Sequence, residues 1–211
     1  MLVLVLDSAT PAVTAALADV TAGSVAILAE RVTVDGRAHG ELLAPAVDAV
    51  LVASGARPRD LGAVVAGIGP GPFTGLRVGL ATAAALGDAL GIPTYGVCSL
   101  DGLGLTAVVR TLVATDARRR EIYWAVYSEG ARLSEPAVNR PGDLGPLDVA
   151  EAVGEGALRY ADQLGLPVRD QPRYPVAEVL LAAAAGRVRS GAPTERLTPL
   201  YLRRPDATEP R

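Results

Sequence analysis

TLVATDARRREIYWAVYS (residues 111–128) can be laid over LVLDSATPAVTAALAD (4–19) with a constant offset of 109, which sets Asp7 on Asp116. In both segments an apolar strand ends in Asp, a short turn follows, and a second strand returns, at 12–18 and at 121–127. Side-chain identity is low, but one assumption, a duplicated α/β unit, accounts for the match. It predicts two lobes related by a pseudo-twofold axis, a first of residues 1–105 and a smaller second of 106–211.

Outward from the first segment, VTAALAD (13–19) and SVAILAERV (24–32) read as antiparallel strands joined around Thr21–Gly23, behind a buried strand at 2–8. From His39 to Ser54, Leu42, Leu43, Ala46, Val47, Val50 and Leu51 fall at helical spacing, and Gly55 supplies the stop. A polar loop, ARPRD, leads to a buried strand, AVVAGIG (63–69). Then come a glycine-rich turn, a long helix ending at Leu90, and a strand in IPTYGVCS (92–99). Beyond 128 the reading is a strand at 132–138, a surface connection at 139–148, and a strand and turn at 152–157. Helices follow at 157–164 and 176–189, and the tail PLYLRRPDATEPR is expected to dock through Tyr201 and Leu202, then fray.

Half of the 211 residues are hydrophobic and few are aromatic, enough for an ordinary core. A net charge of −3 gives no broad pull toward nucleic acid. The chain has one cysteine, Cys98, and its start has neither a basic leader nor an apolar run long enough to span a membrane, so a cytoplasmic protein is expected. Every one of the twenty cations is arginine. Schiff-base chemistry, a lysine nucleophile and the lysine of a P-loop are thereby excluded. A lone histidine, His39, excludes sites needing two imidazoles.

The turn GIGPGPFTG (67–75) sits where many proteins hold a phosphate. Pro70 and Pro72 remove two backbone donors, and the glycine spacing fits neither the dinucleotide nor the P-loop fingerprint. It reads as a steering turn, while the amides of Phe73, Thr74 and Gly75 leave an anion as the weaker alternative. In the following helix Gly75, Gly79, Ala83 and Gly87 recur every fourth residue as a ridge of small residues. Gly79 and Gly87 together cost about 2 kcal/mol relative to alanine, so the ridge is expected to receive something at close range, such as a helix from a second chain.

No complete catalytic set emerges. Asp7 and Asp116 are weak candidates for Mg²⁺ in an actin-like nucleotide site, against turn capping by Asp7. Arg118, Arg119 and Arg120 either meet phosphate or solvate a hairpin. Ser8 and Ser99 have no evident base beyond His39, and Cys98 reads as packing.

LVLDSAT, RAHGELLAP, GIGPGPFTGLRVGLATAAALG, IPTYGVCSLDGL and DARRREIYWAVY together resemble the bacterial TsaB (YeaZ) family over residues 1–128, and more loosely to PLYLR. The resemblance implies a duplicated actin-like, Hsp70-like (ribonuclease H-like) α/β fold. It also implies a non-catalytic, dimerisation subunit of the tRNA threonylcarbamoyladenosine machinery. A TsaD-like catalytic subunit and a TsaE-like ATPase would be its partners, with tRNA reached through the complex and a homodimer formed when it is alone. No membrane is implied, and no cofactor in this chain; ATP and Mg²⁺ would sit only at the partner interface or on partner subunits. TsaD carries a metal-binding histidine pair on its first helix, whereas here His39 is followed one turn later by Leu43. The interface carried over by position falls on helices 39–54 and 74–90, with His39, Leu42, Leu43, Ala46, Gly75, Arg77, Val78, Gly79, Leu80 and Ala83 as candidates. The alternatives are an actin-like Mg-dependent ATPase or kinase using Asp7 and Asp116, and a glycoprotease-like hydrolase using His39.

Overall fold

The computed structural model describes residues 1–203. The first half runs β1 (Leu2–Asp7), β2 (Ala12–Val20), β3 (Val25–Val34), α1 (His39–Ala53), β4 (Leu61–Gly67), α2 (Phe73–Leu90) and β5 (Thr94–Val97). The second runs α3 (Asp101–Gly104), β6 (Thr111–Asp116), β7 (Ile122–Ser128), β8 (Ala131–Arg132), β9 (Ala137–Asn139) and β10 (Glu151–Val153). It continues with α4 (Glu155–Arg159), α5 (Ala161–Leu164), β11 (Val168–Arg169) and α6 (Ala177–Arg189).

Two sheets form, ordered β3-β2-β1-β4-β5 and β11-β10-β6-β7-β8, with β9 also on β7. In each, a leading strand pairs antiparallel with the strand that follows it and parallel with a later one, which pairs parallel with an edge strand. The repeat read from the sequence is thus a repeat of topology. Its offset is not constant, however: Asp7 pairs with Thr14 but Asp116 with Ile122, so the second turn is one residue shorter.

β1 is buried on both faces, which is why it reads as an unbroken apolar run. Leu4 and Leu6 face the layer formed by α1 and α2. Val3 and Val5 face the opposite side, where Leu180, Leu181, Ala184 and Val188 of α6 close the core. By packing, α6 therefore belongs with the first sheet, not with the 106–211 lobe in which its sequence position puts it.

The second lobe departs further from expectation. The strand expected at 132–138 is split into β8 and β9, because Leu133 and Ser134 turn back onto the backbone of Val126. The helix expected at 157–164 breaks at Tyr160 (φ −119°, ψ 26°), whose hydroxyl donates to Asp116 at 3.2 Å.

After α6 the chain runs back along the exposed edge of β5. Glu195 donates its N–H to the Thr94 carbonyl (2.8 Å), and its carboxylate accepts from the Gly96 N–H (3.1 Å). Arg187 holds that carboxylate at 2.7 Å. Farther on, the Leu200 N–H meets the Ile68 carbonyl (2.8 Å), and Arg203 reaches the Ala117 carbonyl (2.9 Å) and Glu121 of the second hairpin. Tyr201 docks as expected, stacking on Phe73 at 5.4 Å and accepting a hydrogen bond from Arg77. The expected fraying concerns residues 204–211, outside those described.

Candidate functional site

Gly67, Gly69 and Gly71 steer the chain from β4 into α2, and the space they leave is already taken. A side chain at Gly67 would strike the carboxylate of Asp7. Ser99 fastens this point: its hydroxyl donates to Asp7 at 2.5 Å and accepts the Gly69 N–H at 3.1 Å. The Ala9 N–H completes the set at 3.1 Å. Asp7 is 1% exposed, and burial raises its pKa to about 6 despite these donors. Asp7 acts as a knot between β1, β4 and the segment after β5, an extension of the turn-capping role.

Asp116, its counterpart, is 6% exposed and paired with Arg159 (3.0 Å) and the Tyr160 hydroxyl. Neither carboxylate lines the cavity between the hairpins. That cavity, about 350 Å³, is bounded by Ser8, Thr10, Arg37, His39, the Pro72–Gly75 turn of α2, and Arg118 from the second lobe. His39 Nε2 lies 2.8 Å from the Thr10 carbonyl. Since a carbonyl only accepts, Nε2 carries the proton.

The ridge of small residues on α2 is filled by the chain itself. Ser8 inserts its hydroxyl there, donating to the Gly75 carbonyl (2.8 Å) and accepting the Gly79 N–H (3.0 Å), so a Cβ at Gly79 would come within 2.4 Å of it. Thr94 packs over Gly87 in the same way. The expectation that this ridge awaits a helix from another molecule is therefore corrected: its glycines serve close approach of the first hairpin and β5.

The correction redistributes the interface candidates. His39, Leu43, Ala46, Gly75, Gly79, Leu80 and Ala83 are buried within the chain, Leu42 and Val78 are half-buried, and Arg77 is exposed. What α1 and α2 turn outward is different: mostly small residues, with Glu41, Asp48, Arg77 and Asp88 among them. On α2, Thr74, Ala81, Ala85 and Ala89 are exposed along one stripe with Val78; on α1, Pro45, Ala49 and Val52 are exposed, Val52 by 79%. The periodicity gave the helices but not their rotation, because both faces of α2 are built from small residues.

A family model described as "TsaD: tRNA N6-adenosine threonylcarbamoyltransferase" matches residues 26–175. The Escherichia coli tRNA threonylcarbamoyladenosine biosynthesis protein TsaB is 31% identical, over 79% of this chain and 81% of that one. YeaZ from Pseudomonas aeruginosa, a solved structure, superposes with a TM-score of 0.78 at 30% identity, covering 95% of this chain and 99% of that one. The chain belongs to the TsaB (YeaZ) family. An uncharacterised protein of Mycobacterium tuberculosis is nearer in sequence, 53% identical over 97% of this chain and 93% of its own. The tRNA N6-adenosine threonylcarbamoyltransferase of Rhizobium meliloti is 43% identical over 64% of this chain, which is only 37% of the transferase. The duplicated actin-like fold expected for the family is the one observed. No helix among the described residues is long and apolar enough to cross a membrane.

Two residues of the cavity were missed as site residues in the sequence. Arg37 gave no signal beyond its charge; Arg118 stood in a run of three arginines whose role was left open. All three adopt left-handed backbone (φ 63°, 54° and 62°), a conformation rare outside glycine, and this tight turn sets Arg118 against the first lobe.

Proposed function

We propose that this chain is the non-catalytic partner subunit of a complex that forms N6-threonylcarbamoyladenosine in tRNA. It supports a TsaD-like catalytic subunit that transfers threonylcarbamoyl from its adenylate to the adenosine beside the anticodon. One observation carries this reading: α1 and α2 each turn mostly small residues to solvent, broken only by Glu41, Asp48, Arg77 and Asp88, while Asp7 and Asp116 are buried and tied into the fold. A surface of mostly small side chains lets another helix pair approach closely. The likeness to the transferase, confined to about a third of that enzyme's length, suits a partner built on the same scaffold. When alone, the chain would pair with a second copy through this face; a TsaE-like ATPase and tRNA would join through the assembled complex. An actin-like ATPase or kinase built on Asp7 and Asp116 would need both carboxylates facing one cavity, and their burial favours the first reading.

The test is co-purification with a TsaD-like protein. Ala81→Arg combined with Ala49→Arg places two large cations on the exposed face without touching the core. The pair should abolish co-purification and leave the melting temperature unchanged. Undiminished co-purification of the folded double variant would refute the assignment of this face.

A further inference from the structure

We infer that the strap after α6, residues 192–203, completes the outward face of α2 and makes docking there answer to the second lobe. This rests on the subunit role proposed above, to whose face it adds a third element and a control. Tyr201 and Arg203, two residues apart on the strap, grip different lobes. Tyr201 lies against α2, its ring 5.4 Å from that of Phe73 and 26° from parallel. Arg77 closes the group. Its guanidinium carbon is 3.8 Å from the centre of the Phe73 ring, and its Nε donates to the Tyr201 hydroxyl at 2.8 Å. All three side chains are open to solvent, in the row beside Thr74 and Val78 of the outward stripe. Arg77 is the one cation in the sequences of α1 and α2, and among the described residues it makes no ion pair. Ring and hydroxyl fix its orientation while its Nη donors stay available. A planar fork held in this way suits a carboxylate, so the partner is one that brings an Asp or Glu side chain to this end of the face.

The control comes from the other end of the strap. The Leu200 N–H, bonded to the Ile68 carbonyl at 2.8 Å, is a pivot; beyond it Tyr201 and Arg203 carry the polar ties to the rest of the fold. Arg203 binds the Ala117 carbonyl at 2.9 Å and pairs with Glu121. Those two residues close the turn of Arg118, Arg119 and Arg120, where the Ala117 N–H meets the Glu121 carbonyl at 2.9 Å. All three arginines hold left-handed backbone, a conformation costly for any residue with a β-carbon. Arg203 thus clamps the neck of a strained turn. Undoing the clamp lets the turn relax and the strap swing, which takes Tyr201 off α2. Linkage is reciprocal: a partner that holds Tyr201 in place also holds the clamp shut, and a shut clamp strengthens docking.

Hydrogen exchange on the full chain, free and bound to a TsaD-like protein, tests this. In the free chain Tyr201→Ala should speed exchange of the Ala117 and Glu121 amides by at least roughly fivefold while those of β4 keep the parent's rate. Partner binding should slow the same two amides in the parent. Arg203→Gln should weaken partner binding by at least roughly fivefold, although Arg203 grips the opposite lobe. Arg77→Gln should weaken binding and flatten its dependence on salt. Arg59→Gln, an exposed arginine outside both contacts, should change neither exchange nor binding. Parent-like exchange at 117 and 121 in Tyr201→Ala, or equal acceleration in β4, overturns the relay. Parent-like binding and salt dependence in Arg77→Gln overturns the acidic partner. If Arg203→Gln binds as the parent does while Ala49→Arg with Ala81→Arg does not bind, the control fails and the subunit role stands. If the double-arginine variant binds too, the face is wrong and both fall together.

Discussion

Replacing Gly79 by alanine sets two effects of known size against each other. In an open helix the change would stabilise by about 1 kcal/mol through helix propensity. Here the new methyl group would lie 2.4 Å from Ser8 Oγ and expel that hydroxyl from its place between the Gly75 carbonyl and the Gly79 N–H. Overpacking of this kind costs about 1–3 kcal/mol, and stranding a buried hydroxyl about 1–3 kcal/mol more. The balance is a loss of roughly 1–5 kcal/mol, at about 2–4 °C of melting temperature per kcal/mol for a chain of this size. Thermal melts followed by circular dichroism measure it. The mechanism is tested by adding Ser8→Ala: with the hydroxyl gone, the clash is relieved, and the double variant should lose at least about 1 kcal/mol less than the sum of the singles. A Gly79→Ala variant that melts higher than the parent, or a strictly additive pair, would refute the packing argument and reopen the ridge as an outward surface.

The remaining predictions concern charge, reactivity and ligand. Asp7 has a folded-state pKa of about 6 against an ordinary 3.8, so the native state holds its proton more tightly than the unfolded chain does. Its contribution therefore grows more favourable as pH falls from above 6 toward 4 and is lost as pH rises through 6. The melting temperature of the parent relative to Asp7→Asn should climb over that window, and a pH-independent difference would exclude the argument. Asp7→Asn also addresses the alternative enzyme: calorimetry with ATP and Mg²⁺ should show no binding that this substitution weakens. Burial pushes the Cys98 thiol up to about 12, so a thiol reagent at neutral pH should react slowly with the native chain and quickly in denaturant. Rapid native reaction would contradict the packing described around it.

The strands and long helices were legible because their causes are local. Alternating or continuous apolar runs mark β1, β2 and β4, and helical spacing with a glycine stop marks α1. The duplication was legible from Asp7 and Asp116 alone, since each ends a buried strand before a hairpin. What the sequence could not show is which partner meets which face. Gly75, Gly79, Ala83 and Gly87 announce close approach without naming what approaches, and the answer, Ser8 and Thr94, lies far away in the chain. The cavity was hidden for the same reason: Arg37 and Arg118 are remote in sequence and meet only once the two lobes are placed. The tie between Asp7, Ser99 and Gly69 is equally non-local, which is why Asp7 invited a catalytic reading that its burial now explains differently.

The stretch from Ala192 to Arg203 binds β5 at Thr94 and Gly96, passes Ile68, and ends on Ala117 and Glu121 of the opposite lobe. Like a buckled belt, it shields an edge that would otherwise invite pairing with foreign strands. It also yokes the two halves together. Any hinge-like yawning of the cleft must first unfasten Arg203 from the second hairpin. A molecule cinched in this way keeps its two sheets in fixed register with one another.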